Sequence, residues 1–389
     1  MFVQQLSLRD YRNYETADVT FSPGTTIVLG PNGQGKTNLV ESLVVLAQGG
    51  SHRIHHRDAL IRQTRDTAVI RARLVNASRS VTTDVEINRV ERDRVQLNGN
   101  PSRLSDIADY LALVLFAPED IMLIRGEPAL RRQYLDDIAA WFSPRLRGVF
   151  ADYDRTLKQR NTLLKSLASH RSKVVDLSTL DVWDASLVEL GADIHEGRLM
   201  VIERLLPHLQ SRYATIVGAD HQPIIRLDSS VLREERAGGG AGGGEGPASD
   251  NRPAGTFSDI FSERLNETRQ TDIDRGQTTV GPHRDDMIIQ VNGLPAKGYA
   301  SHGESWSLVL ALRLAELDIK REHGSHGDPI VILDDVYAEL DQNRRLRLDA
   351  SLRDVEQVII TAAVADDVPE SPHATIVHVE RGAIIDEPA

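Results

Sequence analysis

Residues 30 to 38 read GPNGQGKTN, directly after the apolar run Thr26-Ile-Val-Leu29 and directly before Leu39-Val-Glu-Ser-Leu-Val-Val-Leu46. A buried strand, a glycine-rich turn and an amphipathic helix, in that order, bring backbone N–H groups together around a phosphate. Gly30, Gly35, Lys36 and Thr37 meet the spacing G-x-x-x-x-G-K-[ST], and Pro31, Asn32, Gly33 and Gln34 fill the turn. The glycines let the backbone face inward, Lys36 reaches β and γ oxygens, and the Thr37 hydroxyl ligates Mg²⁺. Lys36 is the only lysine in the first 157 residues. In a chain that otherwise takes its positive charge from arginine, a compact ammonium is what a phosphate cradle fits. The stretch predicts an α/β fold that binds a nucleotide.

Outward from the loop, Phe2–Leu8 and Val19–Phe21 alternate as strands, as do Ala68–Val75 and Ser80–Ile87. Val95-Gln-Leu97 before Asn98-Gly99-Asn100 reads as a hairpin, and Tyr110–Phe116 as an apolar run stopped by Pro118. From Ala129 the period becomes helical, in Leu130, Tyr134, Leu135, Ile138 and Phe142, and again from Leu187 to Leu209. No heptad is sustained there, so a compact helical insert is expected. Ala237–Gly255 (AGGGAGGGEGPASDNRPAG) reads as a flexible surface loop. Beyond it come a helix over Phe257–Arg269, a strand over Met287–Val291, a helix over Ser305–Arg321, a buried strand Pro329–Asp334, a helix Gln342–Arg353 and a final buried strand Gln357–Thr361. One nucleotide-binding domain built from both chain ends, interrupted by the insert, accounts for this order.

The chain has 389 residues, 40% of them apolar, enough for a large core and two or three domains. It has no cysteine, which removes disulfides and thiolate metal sites. MFVQQLSLRDYRNYE lacks a secretory pattern and no segment has the apolar length of a membrane span, so a cytoplasmic protein with no membrane partner is expected. A net charge of −12 speaks against indiscriminate coating of nucleic acid. Yet Arg53 to Arg103 holds eleven arginines against six acids, a local excess of 11 − 6 = +5, which fits either a solvated face or a polyanion surface.

Two further groups of residues bear on the loop. Ile330-Val-Ile-Leu-Asp334-Asp335 ends a buried strand in two carboxylates, the first suited to a Mg²⁺ shell and the second to polarising an attacking water. Ser301-His-Gly303-Glu304-Ser305 leads into the helix Ser305–Arg321, where free N–H groups and the dipole favour an anion, a pattern that an ordinary capped helix shares.

The order of phosphate loop, long insert, Ser-x-Gly at a helix start, then Asp-Asp and Glu339-Leu-Asp341 resembles the ATP-binding-cassette ATPases of chromosome maintenance and repair. Leu6-Ser-Leu-Arg-Asp-Tyr-Arg-Asn-Tyr14, GPNGQGKTNLVES, Phe116-Ala-Pro-Glu-Asp120, Gly126-Glu-Pro-Ala-Leu-Arg-Arg-Gln-Tyr-Leu-Asp136 and Gly281-Pro-His-Arg-Asp-Asp286 are similar, within that group, to the RecF family of recombination mediators. The resemblance implies an ABC-type P-loop ATPase domain in 1–120 and 281–389, with a helical arm in 121–280. It implies ATP with Mg²⁺, and an ATP-dependent homodimer in which Ser301, Gly303 and Glu304 touch the γ-phosphate in trans and Asp341 lies at the seam. Such a dimer closes on double-stranded DNA at gaps and single/double-strand junctions, works with RecO and RecR to load recombinase, and uses weak ATP hydrolysis as a release switch. The alternative is an ABC-type ATPase subunit acting on a partner other than DNA.

The sequence departs from the pattern at three places. Glu304 stands where Gln is usual, Asp335 stands where transporter-type cassettes carry Glu, and Thr361-Ala-Ala-Val has no His after the last strand. Gln63 and Phe116–Asp120 are the two places for a Gln-loop. Arg53 and Arg57 are the first candidates for DNA contact. His283 and Arg284 either contact DNA or brace the domain junction. His52, His55 and His56 lack a second ligand pair and read as solvated.

Overall fold

The computed structural model describes residues 1–51, 53, 56–76, 79–169, 178–219, 221–233, 255–324, 327–368 and 373–385. The Gly-rich stretch up to residue 254 and the histidines at 52 and 55 therefore lie outside the described residues. Two compact units emerge. One comprises Met1–Ile124, Pro207–Pro223 and Ala300–Ala389, the other Arg125–Leu206 and Ile224–Tyr299. Gly281–Tyr299 thus packs with the second unit and Pro207–Pro223 with the first. Among the described residues no helix is long and apolar enough to cross a membrane.

The first unit is built on a six-stranded sheet in the order Ala383–Ile385, Thr375–Glu380, Gly24–Leu29, Gln357–Ala362, Ile330–Asp334, Leu113–Phe116. Its neighbours are parallel except for the edge pair of Thr375–Glu380 with Ala383–Ile385. Gln357–Ala362, Ile330–Asp334 and Leu113–Phe116 are buried at each position, which is why they read as apolar runs with polar residues only at or near their ends, Gln357, Thr361 and Asp334. Gln357–Ala362 is not the final strand. Thr375–Glu380 follows and pairs with Gly24–Leu29, but half of it is exposed, Ile376 at 51%, so it lacks that apolar signature.

A second sheet, antiparallel throughout, runs Tyr14–Thr20, Phe2–Tyr11, Thr67–Asn76, Arg79–Asn88, Arg94–Leu97, Asn100–Pro101. Asn98 and Gly99 turn its last hairpin with φ of 52° and 77°, as an Asn-Gly turn requires. Its alternation places Val3, Leu6, Leu8, Ile70, Leu74 and Val85 in one core with Leu39, Val40, Leu43, Val44 and Leu46 of the helix Lys36–Gln48 and with Ile330, Ile332 and Ile359 of the parallel sheet. Each such side chain contributes about 1.5–3 kcal/mol on burial. Packed against both sheets, the helix fixes the position of the loop end that precedes it. The outward positions carry the arginines: Arg9, Arg71 and Arg73 are exposed, and Arg71 pairs with Asp84 at 2.6 Å.

The second unit holds the helices Pro128–Phe142, Arg145–Ser169 and Phe257–Arg275, the long helix Ser178–Val217 as far as Leu206, and a three-stranded antiparallel sheet of Leu294–Pro295, Asp286–Val291 and Ile224–Asp228. In Arg145–Ser169 the buried stripe is Leu146, Val149, Tyr153, Thr156, Arg160, Leu164 and Leu167. Its spacing is helical, but two polar members hide it from a search for apolar periodicity. Arg160 is fully buried: its Nε donates to Asp184 at 2.6 Å and its Nη1 to Asp272 at 2.7 Å and Thr278 Oγ1 at 2.9 Å, while Nη2 has no described partner.

The stretch Gly281–Asp286 ties this polar interior together. Gly281 has φ 130°, and a Cβ there would lie 2.7 Å from Tyr153 Oη, so glycine is required. Tyr153 Oη and His283 Nδ1 are 2.9 Å apart, and Arg284 donates to Thr278 O at 2.9 Å. Arg198 donates to Pro282 O at 2.7 Å and pairs with Asp136, while Ser230 N donates to Asp285 Oδ1 at 2.8 Å. His283 and Arg284 therefore brace the interior of the second unit.

Burial lowers the pKa of His283 to about 4, and burial with the charge of Arg198 does the same for His195. A depressed histidine contributes stability that is present above its unfolded value of about 6.5 and lost as pH falls toward 4. Urea unfolding is expected to lose roughly 2–3 kcal/mol per histidine between pH 7 and 4.5. Substituting His283→Asn should flatten that slope; an unchanged slope would refute the assignment.

Candidate nucleotide site

The loop leaves the sheet at Leu29, and three of its glycines are fixed by different constraints. A Cβ on Gly30 would sit 2.2 Å from Val379 O of the neighbouring strand. Gly33 has φ 78°, and Gly35 has φ 118° with Asn13 Nδ2 only 2.5 Å from where a Cβ would stand. Lys36 is 3% exposed; its Nζ donates to Gly30 O at 2.9 Å and lies 3.4 Å from Pro31 O and Asn32 Oδ1. The helix that follows has no side-chain cap and no acid in its first turn. Its first N–H groups thus remain donors at the positive end of the dipole.

A hairpin at Tyr11–Tyr14 holds the loop from outside. Asn13 Nδ2 donates to Gln34 O at 2.8 Å, Asn38 Nδ2 donates to Asn13 Oδ1 at 2.8 Å, and Tyr14 Oη donates to Gly35 O at 3.0 Å. From the far edge, Gly382 N donates to Gln34 O at 3.0 Å and Arg381 N to Gln34 Oε1 at 2.7 Å. Arg12 Nε donates to Glu41 at 2.7 Å, and Glu41 is fully buried on the loop helix. Sequence reading gave these residues no task. The available signal was Glu41 itself, a carboxylate amid an apolar helix face that demands a cation.

The acids close the site. Thr37 Oγ1 donates to Asp334 Oδ1 at 3.1 Å, Thr361 Oγ1 donates to the same oxygen at 2.6 Å, and Asp335 N donates to Thr361 Oγ1 at 2.9 Å. Asp334 is 3% exposed, and Asp335 holds a left-handed φ of 51°. Burial pushes the Asp334 carboxyl up to about 6; the Thr361 hydrogen bond opposes this, while the charges of Asp335 and Glu119 add to it. Among the described residues no cluster of three or more His, Cys, Asp or Glu could hold a metal alone. A hydroxyl and a carboxylate in contact nevertheless fit Mg²⁺, which takes few protein oxygens and completes its shell from water and phosphate.

The segment Ser301–Ser305 is a reciprocal cap on the helix His302–His323. Glu304 N donates to Ser301 Oγ at 3.2 Å, and Ser301 N donates to Glu304 Oε2 at 2.8 Å. The first of these partners, Ser301, lowers the Glu304 pKa. Glutamate and glutamine both complete such a box as acceptors, so Glu304 fills here the capping role that a Gln would. Gly303 faces Arg344, whose guanidinium would be 3.0 Å from a Cβ. Arg344 also donates to Ser307 Oγ at 3.0 Å and pairs with Asp341, the N-cap of the helix Gln342–Leu352. None of the described hydrogen bonds or ion pairs of Ser301, Gly303, Glu304 and Asp341 reaches the phosphate loop.

Other candidates scatter. Arg53 is exposed, with its backbone N on Ser51 Oγ at 3.0 Å, and Arg57 pairs with Asp93. Gln63 is exposed in the loop before Thr67. Phe116 lies in register with Leu333, so the segment that follows it leaves the sheet beside the strand that ends in Asp334. Its Asp120 pairs with Arg313 of the helix His302–His323 at 2.6 Å.

The family model "RecF/RecN/SMC N terminal domain" matches residues 2–384. A protein of Clavibacter sepedonicus, "DNA replication and repair protein RecF", is 47% identical, covering 100% of this chain and 96% of the relative. One of the same description from Leifsonia xyli subsp. xyli is 44% identical, covering 99% and 100%. Among solved structures, the recombination mediator protein RecF-ATPrS in the RecFOR pathway superposes with a TM-score of 0.85 at 26% identity, covering 98% of this chain and 97% of that one. An Smc head bound to the C-terminal winged-helix domain of ScpA shares the fold, with a TM-score of 0.52 at 16% identity.

Because its Cβ would meet a backbone carbonyl, Gly30→Ala must displace Thr375–Glu380. It is expected to cost about 2–4 kcal/mol of stability by urea unfolding. A loss below about 0.5 kcal/mol would contradict the packing described.

Proposed function

The chain belongs to the RecF family of DNA replication and repair proteins, and we propose that it is an ATP-operated DNA clamp of recombinational repair. The observation that carries this reading is the contact of the Thr37 hydroxyl with the Asp334 carboxylate, at 3.1 Å, beside a phosphate loop whose Lys36 is buried. An ammonium, a hydroxyl and an acid meet there at the C-terminal ends of strands in one parallel sheet, where such folds bind ligands. Relatives solved as RecF-ATPrS and RecF-ATP support ATP as the nucleotide.

On this reading Gly30 to Thr37 wrap the phosphates, with Lys36 on the β and γ oxygens and the free N–H groups of the helix start as donors. Thr37 and Asp334 would hold Mg²⁺, which when bound draws charge from the phosphate oxygens. Asp335 orients the attacking water. Ser301, Gly303, Glu304 and Asp341 meet ATP held by a second copy, a role supported by their bonds running to one another, Ser307 and Arg344, away from their own loop. The closed dimer retains double-stranded DNA at gaps and single/double-strand junctions, with Arg53 and Arg57 on its phosphates. It acts with RecO and RecR to load recombinase. Slow hydrolysis reopens it, so ATP shifts a population of states.

Two measurements check this reading. Sedimentation with gapped duplex should show a DNA-bound dimer in ATP that is lost without nucleotide and lost in Lys36→Ala; equal retention without ATP would overturn the clamp. Asp335→Asn should bind ATP within about threefold of the parent yet remain dimeric far longer, because only the orientation of water is removed. If it stays monomeric in ATP, the role given to Asp335 is wrong.

A further inference from the structure

Thr361 stands level with Asp334 in the parallel pairing of Gln357–Ala362 with Ile330–Asp334, and is 1% exposed. Its hydroxyl makes two bonds of opposite sense. It donates to Asp334 Oδ1 at 2.6 Å and accepts from Asp335 N at 2.9 Å. One hydroxyl hydrogen and one lone pair are thus assigned without ambiguity, since a carboxylate only accepts and a backbone N–H only donates.

The consequence differs for the two acids. Asp334 Oδ1 is gripped from two sides, by Thr37 on the loop and by Thr361 on the sheet. A Thr37 hydroxyl that turns its oxygen to a cation changes the first grip, whereas the second belongs to the sheet and stays. Asp335 is held at a φ of 51°, a left-handed conformation that is uncommon outside glycine and that a local hydrogen bond can restrain. The bond from its N–H to Thr361 is that restraint. Branching at Cβ limits the rotamers of Thr361, so the hydroxyl is already aimed. Ala362-Ala363-Val364 follow with no polar side chain, which leaves the hydroxyl as what this strand end offers the acids.

We propose that Thr361 is the positioning residue of the acid pair. It fixes the Asp334 carboxylate for the metal shell and, through the Asp335 backbone, sets the direction of the second carboxylate. The inference rests on the ATP reading above and adds a residue to it.

The test compares Thr361→Val, which has the same shape without the hydroxyl, with Thr361→Ser, which keeps the hydroxyl. Fluorescent ATP binding in EDTA should be unchanged within about twofold in both variants. For Thr361→Val the Mg²⁺ concentration that half-saturates tight nucleotide binding should rise about tenfold, the scale of lost support around a metal ligand. Its kcat should fall at least about tenfold with little change in KM, and its ATP-bound dimer should persist longer. Thr361→Ser should restore each readout to within about threefold. If Thr361→Val fails to fold, Thr361→Cys, of similar size with a weak donor, takes its place with the same expectations. Normal Mg²⁺ dependence and turnover in the hydroxyl-free variant would overturn the proposal, as would a serine variant impaired as badly as valine. Absence of nucleotide binding in the unmodified chain would instead sink the ATP reading and this inference together.

Discussion

A turn that is to hold phosphate must keep its N–H groups unspent, so it cannot make itself rigid. Apart from Gly30 N, which donates to Ala362 O at 3.3 Å where the strand ends, the described bonds onto residues 30–35 respect this constraint, because they arrive at acceptors: Gly30 O from Lys36, Gln34 O from Asn13 and Gly382, Gly35 O from Tyr14, and Gln34 Oε1 from Arg381. The antiparallel sheet exists in part to present that hairpin. Arg12, anchored on buried Glu41, locks the hairpin to the same helix that the loop begins. Much of the first unit can be understood as holding one turn by its carbonyl side.

The acids obey the complementary rule. Carboxylates can only accept, and one buried at a strand end is costly unless donors converge on it. Thr37 and Thr361 are those donors, one from the first turn of the loop helix and one from a strand far away in sequence. Burial and the neighbouring charges of Asp335 and Glu119 still hold Asp334 above the usual carboxylate range. A cation at that spot would be favoured by the same charges that penalise the bare anion.

The second unit solves a different problem with similar means. Arg160, Arg198 and Arg131 are buried or nearly so, and each is met by aspartates from other segments. Such pairs add little net stability over apolar packing, but removing one partner is expensive. They define which helix sits against which. Gly281 and His283 belong to this interior, which explains a glycine and a histidine that no surface role requires.

The sequence by itself determined the loop, the loop helix and the buried parallel strands, because glycine spacing and apolar runs are local signals. It also exposed the Asp-Asp pair and the capped helix at Ser301. It did not reveal Thr375–Glu380, whose half-exposed pattern carries no period, nor the helix Arg145–Ser169, whose stripe is broken by Thr156 and Arg160. Only the tertiary structure decided what Arg12, Asn13 and Tyr14 do, that Phe116 ends a strand in register with the one leading to the acids, and that Thr361 joins Asp334 to Asp335. The reason is physical. A residue's neighbours along the chain fix its backbone preference, but a hydrogen bond between positions 37 and 334 depends on strand order, which no local pattern contains.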